Sequence, residues 1–387
     1  MTISIVSRPG RSSRRGGSGR QLIVSLCTAV MLAACVSSVP PPRPAPAAAA
    51  TVRPASQRPA TPRPVPVAVV PNPNDPRNAP SPQLVQTIRS LGAGFGGHVG
   101  IAVMRTDGGW VAAYNGNDLF PQQSVSKLWV AMTLLDSVDR KKLSLSDTAT
   151  ITRRDLVVFH QPSAANVGES GWTTTLSDLL GRAMKQSDNL ANDTLLRTVG
   201  GPESVRSFLA RRFVGNVRFG PGERVLQATT AGLTWQQSYS NGRNFLSARA
   251  ALPMSARNRA LDNYLADPPD GAAPAAIVTA LSKLKRGEML SSTSTRLLLS
   301  IMEEAKTGPQ RIKGGVPAGW SYLHKTGTGQ DLPPRSTGYN DIGIMTAPDG
   351  TSYAVAVMIG ETTKPIPARW TLMQSVARAV VAMHEAR

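Results

Sequence analysis

Residues 128–135 read Leu-Trp-Val-Ala-Met-Thr-Leu-Leu, a stretch with one polar side chain and no charge. A helix that is apolar on nearly every side is buried on nearly every side, so the chain must enclose it with other elements. With 387 residues, 41% of them hydrophobic, there is enough chain for one large domain or two small ones. Directly before the stretch stands Ser124-Val125-Ser126-Lys127. Residues three apart share a helical face, so Lys127 is expected beside Ser124. A serine hydroxyl becomes a nucleophile when a nearby base takes its proton. A lysine is such a base when burial or another cation pulls its pKa down, and the apolar stretch supplies the burial. A helix start adds free N–H groups and a positive dipole end, both suited to a developing oxyanion. Alone, a Ser-x-x-Lys match is weak, since about one is expected by chance in a chain of this composition.

The formal charge is +19. Five arginines in the first 34 residues, unaccompanied by acids, leave +14 (19 minus 5) for the rest. The remaining Arg and Lys are scattered and no nucleic-acid motif accompanies them, so the charge fits an anionic cell envelope better than nucleic acid. The two cysteines, Cys27 and Cys35, lie near the N-terminus. The folded part therefore has no disulfide, thiolate metal site or cysteine nucleophile. His98, His160, His324 and His384 lack ligand spacing, so structural or surface roles are expected for them, and no metal or cofactor.

Residues 1–35 read as an export signal: an arginine-rich start, then an apolar stretch at 22–34 too short for a comfortable membrane span. It ends Leu32-Ala33-Ala34-Cys35. This resembles the lipobox of bacterial lipoproteins, which implies a lipidated Cys35 and a periplasmic, membrane-anchored protein. Residues 36–82 hold fifteen of the 31 prolines. Such a segment buries no core and reads as a disordered, extended tether.

The folded domain is expected over 83–387. A helical period at Leu84, Ile88 and Leu91 precedes two strands, 96–104 and 110–114, joined at Asp107-Gly108-Gly109. From about 143 to 302 the pattern is largely helical, with runs at 175–184, 190–199, 202–208, 275–285 and 294–304. Strands return at 321–325, 341–346 and 353–359, and a last helix covers 370–384. Strands at both ends with helices between predict an α+β fold: one antiparallel sheet built from both termini, flanked by helices, with an inserted all-helical lobe.

Two further tripeptides stand out. Ser187-Asp188-Asn189 lies in a polar break between helical runs, and Lys325-Thr326-Gly327 ends a strand. Each is expected about a tenth of a time or less by chance. A second copy of the latter, Lys306-Thr307-Gly308, looks like a helix ending at a glycine and is read as structural. Ser124-x-x-Lys127, Ser187-Asp188-Asn189 and Lys325-Thr326-Gly327, in that order, resemble the penicillin-recognising serine enzymes, especially class A β-lactamases. The resemblance runs from about residue 81 to the C-terminus. It extends without a gap from Ser187 to Glu223, which then stands where the family keeps its Ω-loop glutamate.

The resemblance implies a role for each residue. Ser124 attacks a lactam or peptide carbonyl and is acylated. Lys127 is a candidate base, with the glutamate acting through a water as the alternative. Ser187 relays a proton to the leaving nitrogen and Asn189 hydrogen-bonds the substrate amide. Lys325, Thr326 and Thr328 receive the substrate carboxylate, and Lys325 also helps keep Lys127 neutral. The backbone N–H groups of Ser124 and Thr328 form the oxyanion hole, and Glu223 orients the deacylating water. The substrate is then a β-lactam or a peptidoglycan stem peptide. A β-lactamase is the first reading, a D,D-peptidase or transpeptidase-like acyltransferase the second, and a non-catalytic envelope-tethered binding protein the third.

Some positions depart from the family. Gln227 replaces an Asn beside the deacylating water, and Asp193 replaces an Asn that supports the glutamate. Gly220 and Pro221 stand where many class A enzymes have an acid and an arginine bracing the loop. Residues of about 228–273 form an insertion containing Trp235, Tyr239, Phe245 and Tyr264, for which packing is expected rather than a substrate-facing lid. Its end, Asp267-Pro268-Pro269-Asp270-Gly271, reads as a turn.

Overall fold

The computed structural model describes residues 78–386. The expected signal segment and the tether up to residue 77 lie outside the described residues.

The elements run α1 (Pro82–Gly94), β1 (His98–Arg105), β2 (Val111–Tyr114), β3 (Phe120–Pro121), α2 (Lys127–Asp139), β4 (Thr148–Ile151), β5 (Trp172–Thr175), α3 (Leu176–Gly181), α4 (Asn189–Thr198), α5 (Pro202–Arg211) and α6 (Glu223–Thr230). Then follow α7 (Asn244–Ala251), α8 (Met254–Ala266), β6 (Gly271–Ala272), α9 (Pro274–Lys285), α10 (Ser292–Glu303), β7 (Ser321–Gly327), β8 (Asp331–Leu332), β9 (Arg335–Thr346), β10 (Ser352–Thr362) and α11 (Ile366–Glu385).

The main sheet is antiparallel, in the order β2-β1-β10-β9-β7, with β8 paired to β9. Its strands come from both ends of the described chain, as the pattern predicts. Both faces are buried. Along β10, Tyr353, Val355, Val357 and Ile359 join α1 and α11 in one apolar core, while Ala354, Ala356 and Met358 join the core of α2 and α9. This is the period of two expected of a strand. Small residues line the second face because α9 packs closely there. A Cβ on Gly100 would lie 2.3 Å from the Phe120 ring and 2.7 Å from Pro274.

The helical lobe surrounds α2. Residues Leu128 to Leu135 are all buried, against α4, α5 and α10. Two short ribbons outside the main sheet escape the sequence pattern. One pairs β4 with β5 and the other pairs β3 with β6. In the first, threonines do the pairing, with Thr150 and Thr173 hydroxyls 2.8 Å apart. Such a ribbon has no apolar alternation to read. Strand β9 starts at Arg335, six residues before the expected strand, because its first half is polar and faces the turn that carries Ser124. There Asn340 donates to Pro121 O at 2.7 Å and Gln122 O at 3.1 Å, and accepts from Ile359 N at 3.2 Å.

Asn340 is fully buried, so these bonds have no replacement in water. Asn340→Ala is expected to lower stability by about 2 kcal/mol, the cost of leaving buried carbonyls unpaired. Urea unfolding with an unchanged m-value checks this.

Candidate active site

The turn Gln123–Ser126 is a 3-10 turn that runs straight into α2. Gln122 anchors it from inside. Its Nε2 donates to Arg218 O and Asp270 O at 2.8 and 2.7 Å, and its Oε1 accepts from Trp129 Nε1 at 2.5 Å. Gln123 takes a left-handed backbone, φ 52°, which brings Ser124 to the cleft. Lys127 is the first residue of α2, with Nζ 2.7 Å from Ser124 Oγ. The spacing argument for these two residues holds.

Gly327 brings β7 against this turn. A Cβ there would lie 2.3 Å from Gln122 O, so only glycine lets the strand come so close. Ser187 comes from the other side. It ends a single π turn, Arg182–Gln186, in a left-handed conformation with φ 62°. Asp188 fixes that geometry by accepting from Ala191 N at 3.0 Å and Ser163 N at 2.7 Å. Ser187 Oγ accepts from Lys325 Nζ at 2.8 Å.

Both lysines are buried, Lys127 1% and Lys325 0% exposed. Burial pulls Lys127 down from the ordinary lysine value, opposed by the carboxylates of Glu223, Asp188 and Asp193. Burial, then repulsion from Lys127 and Arg311, pulls Lys325 well below it. The repulsion between the lysines acts on Lys325, while Lys325 is not among the causes lowering Lys127, so the expected help in keeping Lys127 neutral is not seen; burial does that.

Asn189 and Glu223 complete the cluster. Asn189 Oδ1 accepts from Lys127 Nζ at 2.8 Å; its Nδ2 donates to Val158 O and to Glu223 Oε1, both at 2.9 Å. The amide thus bridges Lys127 and Glu223. Burial raises Glu223, Lys127 lowers it, Asp193 raises it, and Gln227 lowers it by donating a hydrogen bond.

Ser124, Ser187, Asn189, Glu223, Thr326 and Thr328 line one cleft of about 540 Å³. Thr307 and Arg311 line it too, and sequence reasoning missed both. Thr307 belongs to the second Lys-Thr-Gly copy, read as structural. Its hydroxyl lies 2.7 Å from that of Thr326, so this copy does reach the site. Arg311 donates to Gly327 O and Asn340 O at 2.8 and 2.6 Å and to Thr328 Oγ1 at 2.7 Å, and stacks on Tyr339. Nothing in the sequence near Arg311 marks it. His324 is structural, as expected: it is buried, with Nδ1 2.8 Å from Asp341 Oδ1. Of the inserted aromatics, Trp235, Tyr239 and Phe245 pack around Ala228 and Ala231. Their neighbours Leu246 and Arg249 on α7 line the cleft, so the insertion does face the substrate space.

A hydroxyl, two desolvated amines and a carboxylate around one cleft make this an acyl-transferring serine enzyme. The model of the β-lactamase enzyme family matches residues 83–383, and the chain belongs to that family. It is 29% identical over 303 residues to the extended-spectrum β-lactamase PER-1 of Pseudomonas aeruginosa, covering 78% of this chain and 87% of that one. To β-lactamase VEB-1 of the same organism it is 24% identical over 301 residues, covering 78% and 90%. Among solved structures, a β-lactamase from Chitinophaga pinensis superposes with a TM-score of 0.64 at 28% identity, covering 79% of this chain and 99% of that one. The α+β fold expected from the order of strands and helices is the fold of this solved structure.

Asp193 is one cause holding Glu223 up. Asp193→Asn removes it, so Glu223 is expected to ionise at lower pH than in the wild type. A 13C NMR titration of the side-chain carboxyls reads the shift.

Proposed function

We propose that the protein hydrolyses β-lactams through an acyl-enzyme on Ser124, with Lys127 as acylation base and Glu223 as deacylation base. The observation that carries this is the direct line Ser124–Lys127–Asn189–Glu223, with contacts of 2.7, 2.8 and 2.9 Å. A neutral Lys127 accepts the Ser124 proton as Oγ attacks the lactam carbonyl. The N–H groups of Ser124 and Thr328 receive the oxyanion, each worth about 3 kcal/mol. As the C–N bond breaks, Ser187 gives its proton to the leaving nitrogen, and Lys325, 2.8 Å away, resupplies it. Lys325, Arg311, Thr326 and Thr328 hold the substrate carboxylate. Glu223 then takes a proton from water, the resulting hydroxide attacks the ester, Lys127 returns its proton to the departing Ser124 Oγ, and the proton left on Glu223 restores Lys325 through solvent.

Turnover of a chromogenic cephalosporin is the first test. Ser124→Ala abolishes it. Glu223→Gln leaves acylation in place but slows release by at least about a hundredfold, the lower range for a general base, so intact mass gains a stable adduct. A wild type that holds the adduct as long as the variant points instead to a D,D-peptidase-like acyltransferase.

The Leu-Ala-Ala-Cys ending supports an envelope location. Cys35 becomes the lipidated N-terminus, and the proline-rich tether holds the domain off the membrane. In cells fed labelled palmitate, Cys35→Ser is expected to lose the label and move from the detergent phase to the aqueous phase on Triton X-114 partition. Label retained by the variant rejects this anchor.

A further inference from the structure

The insertion sends polar groups into the layer beneath the catalytic turn. Tyr264 of α8 is buried; its ring packs with Leu226, Leu261 and Leu332. Its hydroxyl donates to Asp270 Oδ1 at 3.0 Å and accepts from Gln123 Nε2 at 2.5 Å. The other oxygen of Asp270 accepts the backbone N–H of Gln123 at 2.8 Å. Gln123 Oε1 in turn accepts from Gln227 Nε2 at 2.8 Å, and Gln227 Oε1 accepts from Gln330 Nε2 at 2.8 Å.

Both ends of this chain fix its direction: Asp270 at one, and at the other Gln330, whose Nε2 also donates to the Gln227 carbonyl, an acceptor only, at 2.8 Å. An ionised carboxylate only accepts, and Asp270, raised by burial to about 6, is ionised above that pH. Tyr264 must therefore give its proton to Asp270 and accept from the Gln123 amide. Gln123 is left presenting its oxygen to Gln227. Gln227 must turn its nitrogen toward Gln123, and its oxygen goes to Gln330. In that orientation Gln227 keeps one N–H free, one turn along α6 from Glu223, whose ionisation a Gln227 side-chain hydrogen bond favours.

We propose that Tyr264 and Asp270 are positioning residues for deacylation: acting through Gln123, they hold Gln227 in the one amide orientation that donates to Glu223. The proposal rests on the reading of Glu223 as the deacylation base. An apolar packing role alone does not account for it, because the Tyr264 ring would fill the same space without its hydroxyl.

Two variants of the full chain test this. Tyr264→Phe keeps the ring and deletes one link. Asp270→Asn keeps the shape but can donate to Tyr264, setting this end of the chain against the orientation that Gln330 imposes on Gln227 from the other. Both are expected to leave acylation within about twofold and to slow deacylation about tenfold, part of a general base's contribution. Time-resolved intact mass then shows the adduct accumulating, and kcat and KM fall together. The acid limb of kcat moves to higher pH in Tyr264→Phe, since a carboxylate that loses a donor is harder to ionise. Lys127 and Lys325 still pull Glu223 down, and Asp193 and Asp270 still push it up. Variants that melt lower but deacylate at the wild-type rate overturn the positioning role. So do variants in which acylation and deacylation fall equally. A wild type that never releases its adduct overturns the Glu223 reading, and this proposal with it.

Discussion

Burying two amines side by side is the constraint from which the site follows. Each charge taken out of water costs several kcal/mol after relaxation, and attraction repays it only with good geometry. The fold does not neutralise Lys127 and Lys325 with a carboxylate each at contact. It gives them neutral oxygens: Ser124 and Asn189 for Lys127, Ser187 and the Thr326 carbonyl for Lys325. Carboxylates stand one layer further out. The amines are thus held where losing a proton is easy, and each has a serine hydroxyl as a neighbour.

What could be read from the sequence were the parts of the site that are local. Ser124 and Lys127 are three residues apart, and their pairing needs only a helical turn. Ser187-Asp188-Asn189 carries its own geometry, since Asp188 caps the next helix. The alternation along β10 and the apolar length of α2 likewise report burial without knowledge of the partner. Glu223 was reached by resemblance to a family, as nothing local distinguishes it from a solvated glutamate.

Contacts between distant segments were not legible. Arg311 enters the site because its loop crosses the end of β7, and Thr307 because the same loop sets it beside Thr326. The second Lys-Thr-Gly copy was rightly seen to follow a helix, but helix ends also line clefts. Gln123 and Asp270 are 147 residues apart, and neither residue type announces a hydrogen bond to the other. Tyr264 was read as an apolar body, which its ring is; the phenol's polar end is decided by what lies beneath it.

The departures at Gly220 and Pro221 gain a physical sense from the same network. With no acid and arginine at those positions, the loop carrying Glu223 needs another brace. Gly220 lies against the Asp270 backbone, within 3.7 Å of its N for an added Cβ. Arg218 bonds Gly271 O through its backbone and pairs with Asp267. Asp270 beside it accepts from the Gln123 N–H and the Tyr264 hydroxyl. A surface-type ion pair at such a site would be worth at most about 1 kcal/mol and would weaken with salt. Bonds from a buried carboxylate to a backbone N–H and a phenol are screened far less. The insertion thus links the loop carrying Glu223, through Gln227 and Gln123, to Tyr264 and Asp270.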